Sequence, residues 1–253
     1  MVLKNGVFMV EEKFEEIERI STGITGLDNM IEGGFEKGSI NLVAGDTGTG
    51  KSILSLQFLY NKAKNANEPG IYITFEEKKD QIIKHMKKFG MDFEELEKEN
   101  KILIYEYSPR EVSKFIDEGG AIENVIRENS IKNLVLDSIT SFAAIYPSEA
   151  ERRKAIISLL DILKEWGCTC LLPSEAEVRS EATTQEVRAR FGIEYLSDSL
   201  IALYSIRKGD IREMALEIVK MRGTNHSKKL APMKITNKGI ILYPDQPFFS
   251  KSF

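Results

Sequence analysis

The chain has 253 residues, 42% of them hydrophobic, with 35 Lys and Arg against 39 Asp and Glu and a formal net charge of −4. That length supports one large domain around a single core, and the mild acidity gives no global field to gather nucleic acid or an anionic membrane. The charged start (Lys4, Glu11, Glu12) is unlike a signal peptide, no apolar run reaches the ~18 residues of a membrane span, and two Cys suit a reducing interior, so a cytoplasmic protein with no membrane span is expected.

Residues 40–44 predict a short apolar strand, and the run through Ile53, Leu54, Leu56, Phe58 and Leu59 predicts a helix ending near Asn65. Residues 71–75 read as a second strand, followed by a charged helix through Ile82, Ile83 and Met86 that stops at Gly90, with His85 on its solvated side. A third strand at 102–105 leads to a helix over about 112–128, and a fourth strand covers 134–136. Ile156, Leu159, Leu160 and Leu163 mark a helix from Glu149 to Trp166 by their 3.6-residue spacing. Residues 168–172 form a fifth strand whose Cys168 and Cys170, on one face, read as core packing.

Near-continuous apolar strands between amphipathic helices predict a mostly parallel sheet with helices on both faces. The polar stretch 175–190, mixed in sign, reads as a solvated loop. Beyond it the runs 200–204, 214–221, 233–235 and 240–242, with turns at 208–210 and 237–239, predict antiparallel hairpins. The expected architecture is α/β, one domain over 1–253: an N-terminal arm (1–20), an α/β core (21–190) and a C-terminal β extension (191–253). Phe248, Phe249 and Phe253 at the end read as a tail folded onto a groove, with docking to a partner as the alternative.

Gly45-Asp46-Thr47-Gly48-Thr49-Gly50-Lys51-Ser52 fits G-x-x-x-x-G-K-[ST], with a strand before it and a helix after it. Its glycines let backbone N–H groups converge on a triphosphate at the positive end of the helix. Lys51 would reach the outer phosphates and the Ser52 hydroxyl would hold Mg²⁺. Asp137, directly after the fourth strand, is placed to complete the metal site, or alternatively to cap the helix beginning near Ser138. Hydrolysis also needs a group to orient water, and Glu76 and Glu77 end the second strand. Consecutive side chains diverge, so their roles are expected to differ, and either one could instead be a first-turn acid favoured by the helix dipole. Which of the two is the main base stays open, although Glu77→Gln is expected to keep ATP binding while stopping turnover.

In this order the residues resemble the KaiC-like branch of the RecA superfamily of P-loop ATPases, over nearly the whole chain. Ser21 to Asp28 and Glu32 to Gly38 look like its opening "STGxxGLDxxxxGGxxxG" pattern, and Phe75-Glu76-Glu77 looks like its "FEE" catalytic pair. Lys220-Met221-Arg222-Gly223-Thr224-Asn225-His226 looks like "KxRGTxH", and Thr236-Asn237-Lys238-Gly239-Ile240 looks like "TxxGI".

The resemblance implies a RecA-like fold, ATP and Mg²⁺ as ligands, and a homo-oligomer, commonly a hexameric ring, with ATP between protomers. It implies that Lys220 and Arg222 act in trans, and that Thr224, His226, Thr236 and Asn237 line the neighbour's nucleotide. The best-known member is a tandem of two such domains, whereas one phosphate loop occurs here. Glu194 and Tyr195 stand where its autophosphorylating half has hydroxyls, which weighs against clock-type autokinase activity. The function implied is an oligomeric regulatory ATPase. The alternatives are a nucleotide-gated scaffold with little hydrolysis, a RecA- or RadB-like DNA-repair paralogue, disfavoured by the acidic balance, and an autokinase with another acceptor such as Thr183 or Thr184. A further protein partner is open on this reading.

Overall fold

A computed structural model describes residues 2–4, 7–9, 17–108, 111, 119–181, 184–208 and 210–248. The chain begins with the antiparallel pair β1 (Val2–Lys4) and β2 (Val7–Met9), then β3 (Arg19–Ile20), helix α1 (Leu27–Met30) and β4 (Phe35–Glu36), which pairs with β3. The alternating part follows as β5 (Ile40–Gly45), α2 (Lys51–Asn65), β6 (Gly70–Thr74), α3 (Lys79–Lys87), α4 (Phe93–Lys98), β7 (Ile102–Glu106), α5 (Gly119–Glu128), β8 (Asn133–Asp137), α6 (Ile139–Ala143), α7 (Glu149–Trp166) and β9 (Thr169–Glu181). It closes with β10 (Thr184–Ala189), β11 (Ser199–Lys208), β12 (Ile211–Met221), β13 (Ala231–Thr236) and β14 (Gly239–Leu242).

Strand β5 is buried at all six positions, which requires cover on both faces. Successive side chains point to opposite sides, and the two cores divide accordingly. Leu42 and Ala44 pack with Ile122 and Ile126 of α5 and with Ile156, Leu159, Leu160 and Leu163 of α7. Val43 packs with Leu54, Phe58 and Leu59 of α2, Ile82 and Met86 of α3, and Phe93 and Leu96 of α4. The central sheet runs β14-β13-β12-β11-β5-β9-β8-β6-β7. It is parallel from β11 through to β7 and antiparallel from β11 to β14. This is the α/β architecture with a C-terminal antiparallel extension that the sequence predicts.

Helix α7 has the predicted bounds because Ser148 and Glu151 form a reciprocal capping box at its start and Gly167, at φ 68°, ends it. The predicted helix over 112–128 is described from Gly119 onward; residues 112–118 lie outside the described set. The stretch 175–190 corrects the expectation of a loop: β9 continues to Glu181 and β10 returns beside it, with Val187 opposite Val178 and Ala189 opposite Ala176. The apolar alternation is only two residues long on each strand (Ala176 and Val178, Val187 and Ala189) and is set among charged residues, too short a signal to announce a strand pair. Phe248 is buried as foreseen for the tail, whereas residues 249–253 are outside the described set. Among the described residues no helix is long and apolar enough to cross a membrane.

The β13–β14 hairpin is fixed to α2 by one side chain. Gln57 Nε2 donates to the Ile240 carbonyl at 3.1 Å, and its Oε1 accepts the Ile240 N–H at 2.6 Å, both buried. Gly239, at φ 91°, makes room for it, since a Cβ there would lie 2.4 Å from Gln57 Oε1. Gln57→Leu strands two buried backbone groups, so urea unfolding is expected to show a loss of about 2–4 kcal/mol.

Candidate functional site

Strand β5 ends at Gly45, and the chain turns through residues 46–50 into α2. Gly48 and Gly50 take φ of 81° and 94°, a region side chains rarely adopt. The Thr49 N–H and hydroxyl both donate to the Asp46 carbonyl, at 3.2 and 2.7 Å, closing the turn. A Cβ on Gly50 would sit 3.1 Å from Ile235 Cδ1 of β13, while one on Gly48 would meet nothing within 4 Å. The loop is thus backed by the hairpin and open at its tip. No side chain caps Gly50, so the first amides of α2 are left for an anion. Lys51 Nζ donates to the carbonyls of Gly45 and Asp46 at 2.9 and 3.0 Å. Burial pulls its pKa below the usual lysine value, opposed by the carboxylates of Asp137, Glu175, Glu76 and Asp46.

Asp137 ends β8 at the same edge and is 5% exposed. Tyr72, on the neighbouring strand β6, donates its hydroxyl to Asp137 Oδ2 at 2.5 Å, and the Ser52 hydroxyl is a second partner. Burial raises the Asp137 pKa, and these two hydrogen bonds act against the rise. The capping role open to Asp137 falls instead to Ser138, whose Oγ accepts the Ser141 N–H at the start of α6. A serine hydroxyl beside a carboxylate is an all-oxygen donor pair of the kind Mg²⁺ takes when phosphates and waters fill its remaining positions.

Thr74 Oγ1, at the tip of β6, accepts the N–H groups of Glu76 and Glu77 and turns the two glutamates apart. Glu76 faces a cleft of about 280 Å³ that it lines with Lys51, Ser52, Asp137, Glu175 and Ile235. Its Oε1 accepts the hydroxyls of Ser138 at 2.5 Å and Ser141 at 2.6 Å. Glu77, less exposed than Glu76, pairs with His85 Nδ1 at 2.6 Å. Of the two, Glu76 is the one that lines the cleft with Lys51 and Asp137. His85, foreseen as solvated surface, is exposed and pairs with Glu77.

The basic motif lies at the other edge. Leu200 pairs with both Leu42 and Lys220, and the Arg222 N–H bonds the Asp198 carbonyl, whose own N–H bonds the Ile40 carbonyl. Arg222 therefore sits level with the first residue of β5, while the glycine loop leaves its last. The five steps from Ile40 to Gly45, at ~3.3 Å each, put about 17 Å of strand between them, beyond the span of an arginine side chain. Lys220 Nζ donates to the carbonyls of Glu194 and Ser197, at 2.8 and 2.6 Å. Burial, and Arg222 beside it, lower its pKa. Arg222 donates to the Tyr195 carbonyl at 2.9 Å and to Asp198 Oδ1 at 3.3 Å.

Thr224 and His226 follow on the same turn. Arg19 donates to Thr224 Oγ1 at 2.9 Å, and His226 is buried with Lys228 Nζ 2.9 Å from its Nε2. The opening motif braces this turn: Asp28 accepts from Ser21 and Thr22, and the Met30 carbonyl accepts the Ser227 N–H. Thr236 and Asn237 are separate from that group. They cap the β13–β14 hairpin whose Ile235 lines the glycine-loop cleft, with Thr236 Oγ1 donating to the Gly239 carbonyl at 2.9 Å. Sequence reasoning missed Tyr72, Ser138, Ser141 and Glu175 in the site. Tyr72 had a signal, since a hydroxyl inside an apolar strand demands a buried partner.

The raised pKa of Asp137 fixes a pH trend. A carboxyl that binds its proton more tightly when folded stabilises the fold most at low pH, and that stability falls as pH rises through the folded pKa. Without nucleotide or divalent cation, Asp137→Asn is expected to melt higher than the unchanged protein at pH 7, with the difference disappearing as pH falls below the ordinary Asp range. Thermal melts across pH measure this.

A family model described as "ATPase: KaiC" matches residues 20–247. The circadian clock oscillator protein KaiC of Synechococcus elongatus is 34% identical over 243 residues, covering 91% of this chain and 45% of its own length. That of Thermosynechococcus vestitus is 35% identical over 242 residues, covering 92% and 46%. The chain thus spans about half the length of the curated relatives it matches. The crystal structure of a KaiC-like protein from the hyperthermophilic archaeon Pyrococcus horikoshii superposes with a TM-score of 0.79 at 36% identity, over 90% of this chain and all of that one. With the glycine loop, Asp137 and Glu76 gathered on one edge of a RecA-type sheet, the chain belongs to the KaiC ATPase family, the KaiC-like branch of the RecA-superfamily P-loop ATPases.

Proposed function

We propose that the protein is a Mg²⁺-dependent ATPase that works as a ring of identical copies in the cytoplasm, each nucleotide held by one copy and completed by Lys220 and Arg222 of the next. The chain is read as one ATPase domain, with the arm, core and extension bounded as in the sequence. The observation that carries the ring is the separation of the glycine loop from Lys220 and Arg222 by the length of β5. Donor and receiving surfaces differ, so the contact is head-to-tail and closes by rotation, a hexamer being the family's usual solution. On this reading Thr224 and His226 travel with the donated edge, whereas Thr236 and Asn237 belong to the receiving edge.

The residues then divide the work. The loop amides hold the phosphates, and Lys51 leaves the carbonyls of Gly45 and Asp46 for the outer phosphate oxygens. Ser52 and Asp137 hold Mg²⁺, which when bound neutralises charge on the phosphates. Glu76 orients a water and takes its proton as the water oxygen bonds to the γ-phosphorus, the bond to the β-phosphate oxygen breaks, and ADP leaves with that electron pair. Arg222 of the next copy faces the negative charge on the transferring group, with Lys220 beside it. The output is a rearrangement among protomers timed by hydrolysis.

Glu76→Gln is expected to keep ATP binding and lose turnover at least about a hundredfold, with Glu77→Gln staying within a few-fold of the unchanged protein. Phosphate-release rates alongside equilibrium ATP binding measure both. Arg222→Ala and Lys51→Ala proteins are each expected to be inactive, whereas random equal mixing regains about a quarter of the rate, because one interface in four then pairs an intact loop with an intact arginine. A mixture as inactive as its components overturns the in-trans arrangement.

A further inference from the structure

Both serines at the start of α6 serve one oxygen of one carboxylate. Ser138 Oγ and Ser141 Oγ lie 2.5 and 2.6 Å from Glu76 Oε1. A hydroxyl has a single hydrogen to give. Ser138 Oγ accepts the Ser141 N–H at 3.2 Å as the cap of α6 and lies 3.2 Å from Ser141 Oγ, so its one hydrogen goes to the nearer and charged acceptor, Glu76 Oε1. Oε1 is thereby engaged twice, and Oε2 accepts no hydrogen bond from any described residue. A carboxylate held through one oxygen has lost rotation about its terminal bond, and the oxygen that stays open belongs to a side chain lining the cleft.

We infer that Ser138 and Ser141 are positioning residues that clamp Glu76 and assign its Oε2 as the atom that receives the proton of the attacking water. This deepens the reading of Glu76 given above and rests on it. The clamp separates the two neighbouring glutamates, because among the described residues Glu77 has no such pair of hydroxyls and is held by His85 instead. It also gives α6, a helix of only five residues, a purpose beyond connecting β8 to α7. Ser141 is the cleaner probe, since removing Ser138 would also remove the cap of the helix.

The test measures steady-state hydrolysis, ATP dissociation constants and far-ultraviolet circular dichroism for Ser141→Ala, Ser141→Thr, Glu76→Gln and the double variant Glu76→Gln/Ser141→Ala. The expected result is a kcat about tenfold lower in Ser141→Ala, a barrier change of about 1.4 kcal/mol, at unchanged ATP affinity and unchanged helicity. Ser141→Thr, which keeps the hydroxyl, restores the rate. In the Glu76→Gln background the Ser141→Ala change has no further effect, the mark of two residues acting through one atom. A Ser141→Ala protein with undiminished kcat, or equal tenfold losses with and without Glu76, overturns the clamp. A Glu76→Gln protein that turns over normally overturns the assignment of Glu76 itself, a different outcome from either.

Discussion

Parallel pairing is the constraint on which the chemistry depends. Strands β5, β9, β8 and β6 run side by side in one direction, so the ends of β5, β8 and β6 and the level of β9 beside them lie along one edge. Gly45, Glu175, Asp137 and the turn after Thr74 are neighbours for that reason alone, although about 130 residues separate the first from the second. The glycine loop supplies amides, α2 supplies Lys51 and Ser52, and the other strand tips supply carboxylates. An antiparallel arrangement of the same segments would have scattered these groups over two edges.

The carboxylates on that edge are kept distinct by their surroundings. Asp137 is buried against Tyr72 and Ser52, where ionisation is costly without a cation or hydrogen-bond donors. Glu76 sits between hydroxyls at the mouth, and Glu175 is held by Arg190 at 2.5 Å and by its own N–H to Thr140 Oγ1 at 2.9 Å. Three acids within one cleft thus have three different sets of donors. Helix α6 and the serine before it hold two of them, through Ser138 and Ser141 on one side and Thr140 on the other.

Much of the frame was legible because it is written in local patterns. The apolar runs at 40–44, 71–75 and 134–136 have the length and continuity of strands buried on both faces, and the spacing of Ile156, Leu159, Leu160 and Leu163 can belong only to a helix. The glycine loop is a local motif with a local meaning. What escaped depends on partners distant in sequence. The hydrogen bonds that set Glu76 apart from Glu77 come from serines 62 and 65 residues away. Thr236 and Asn237 were grouped with Lys220 by motif order, yet strand register sets them at opposite ends of the sheet. The ribbon of β9 and β10 escaped because its apolar alternation, Ala176 and Val178 against Val187 and Ala189, is too short to stand out among the charges.

Asp198 gives β5 a second significance. One carboxylate oxygen accepts the Ile40 N–H at 2.9 Å, and the other accepts from Arg222 at 3.3 Å. The strand is therefore a stiff rod: at its far tip is the curl that surrounds phosphate, and at its near tip a carboxylate shared with the guanidinium offered outward. Close packing on both sides leaves such a rod no slack, so its two tips cannot be displaced independently.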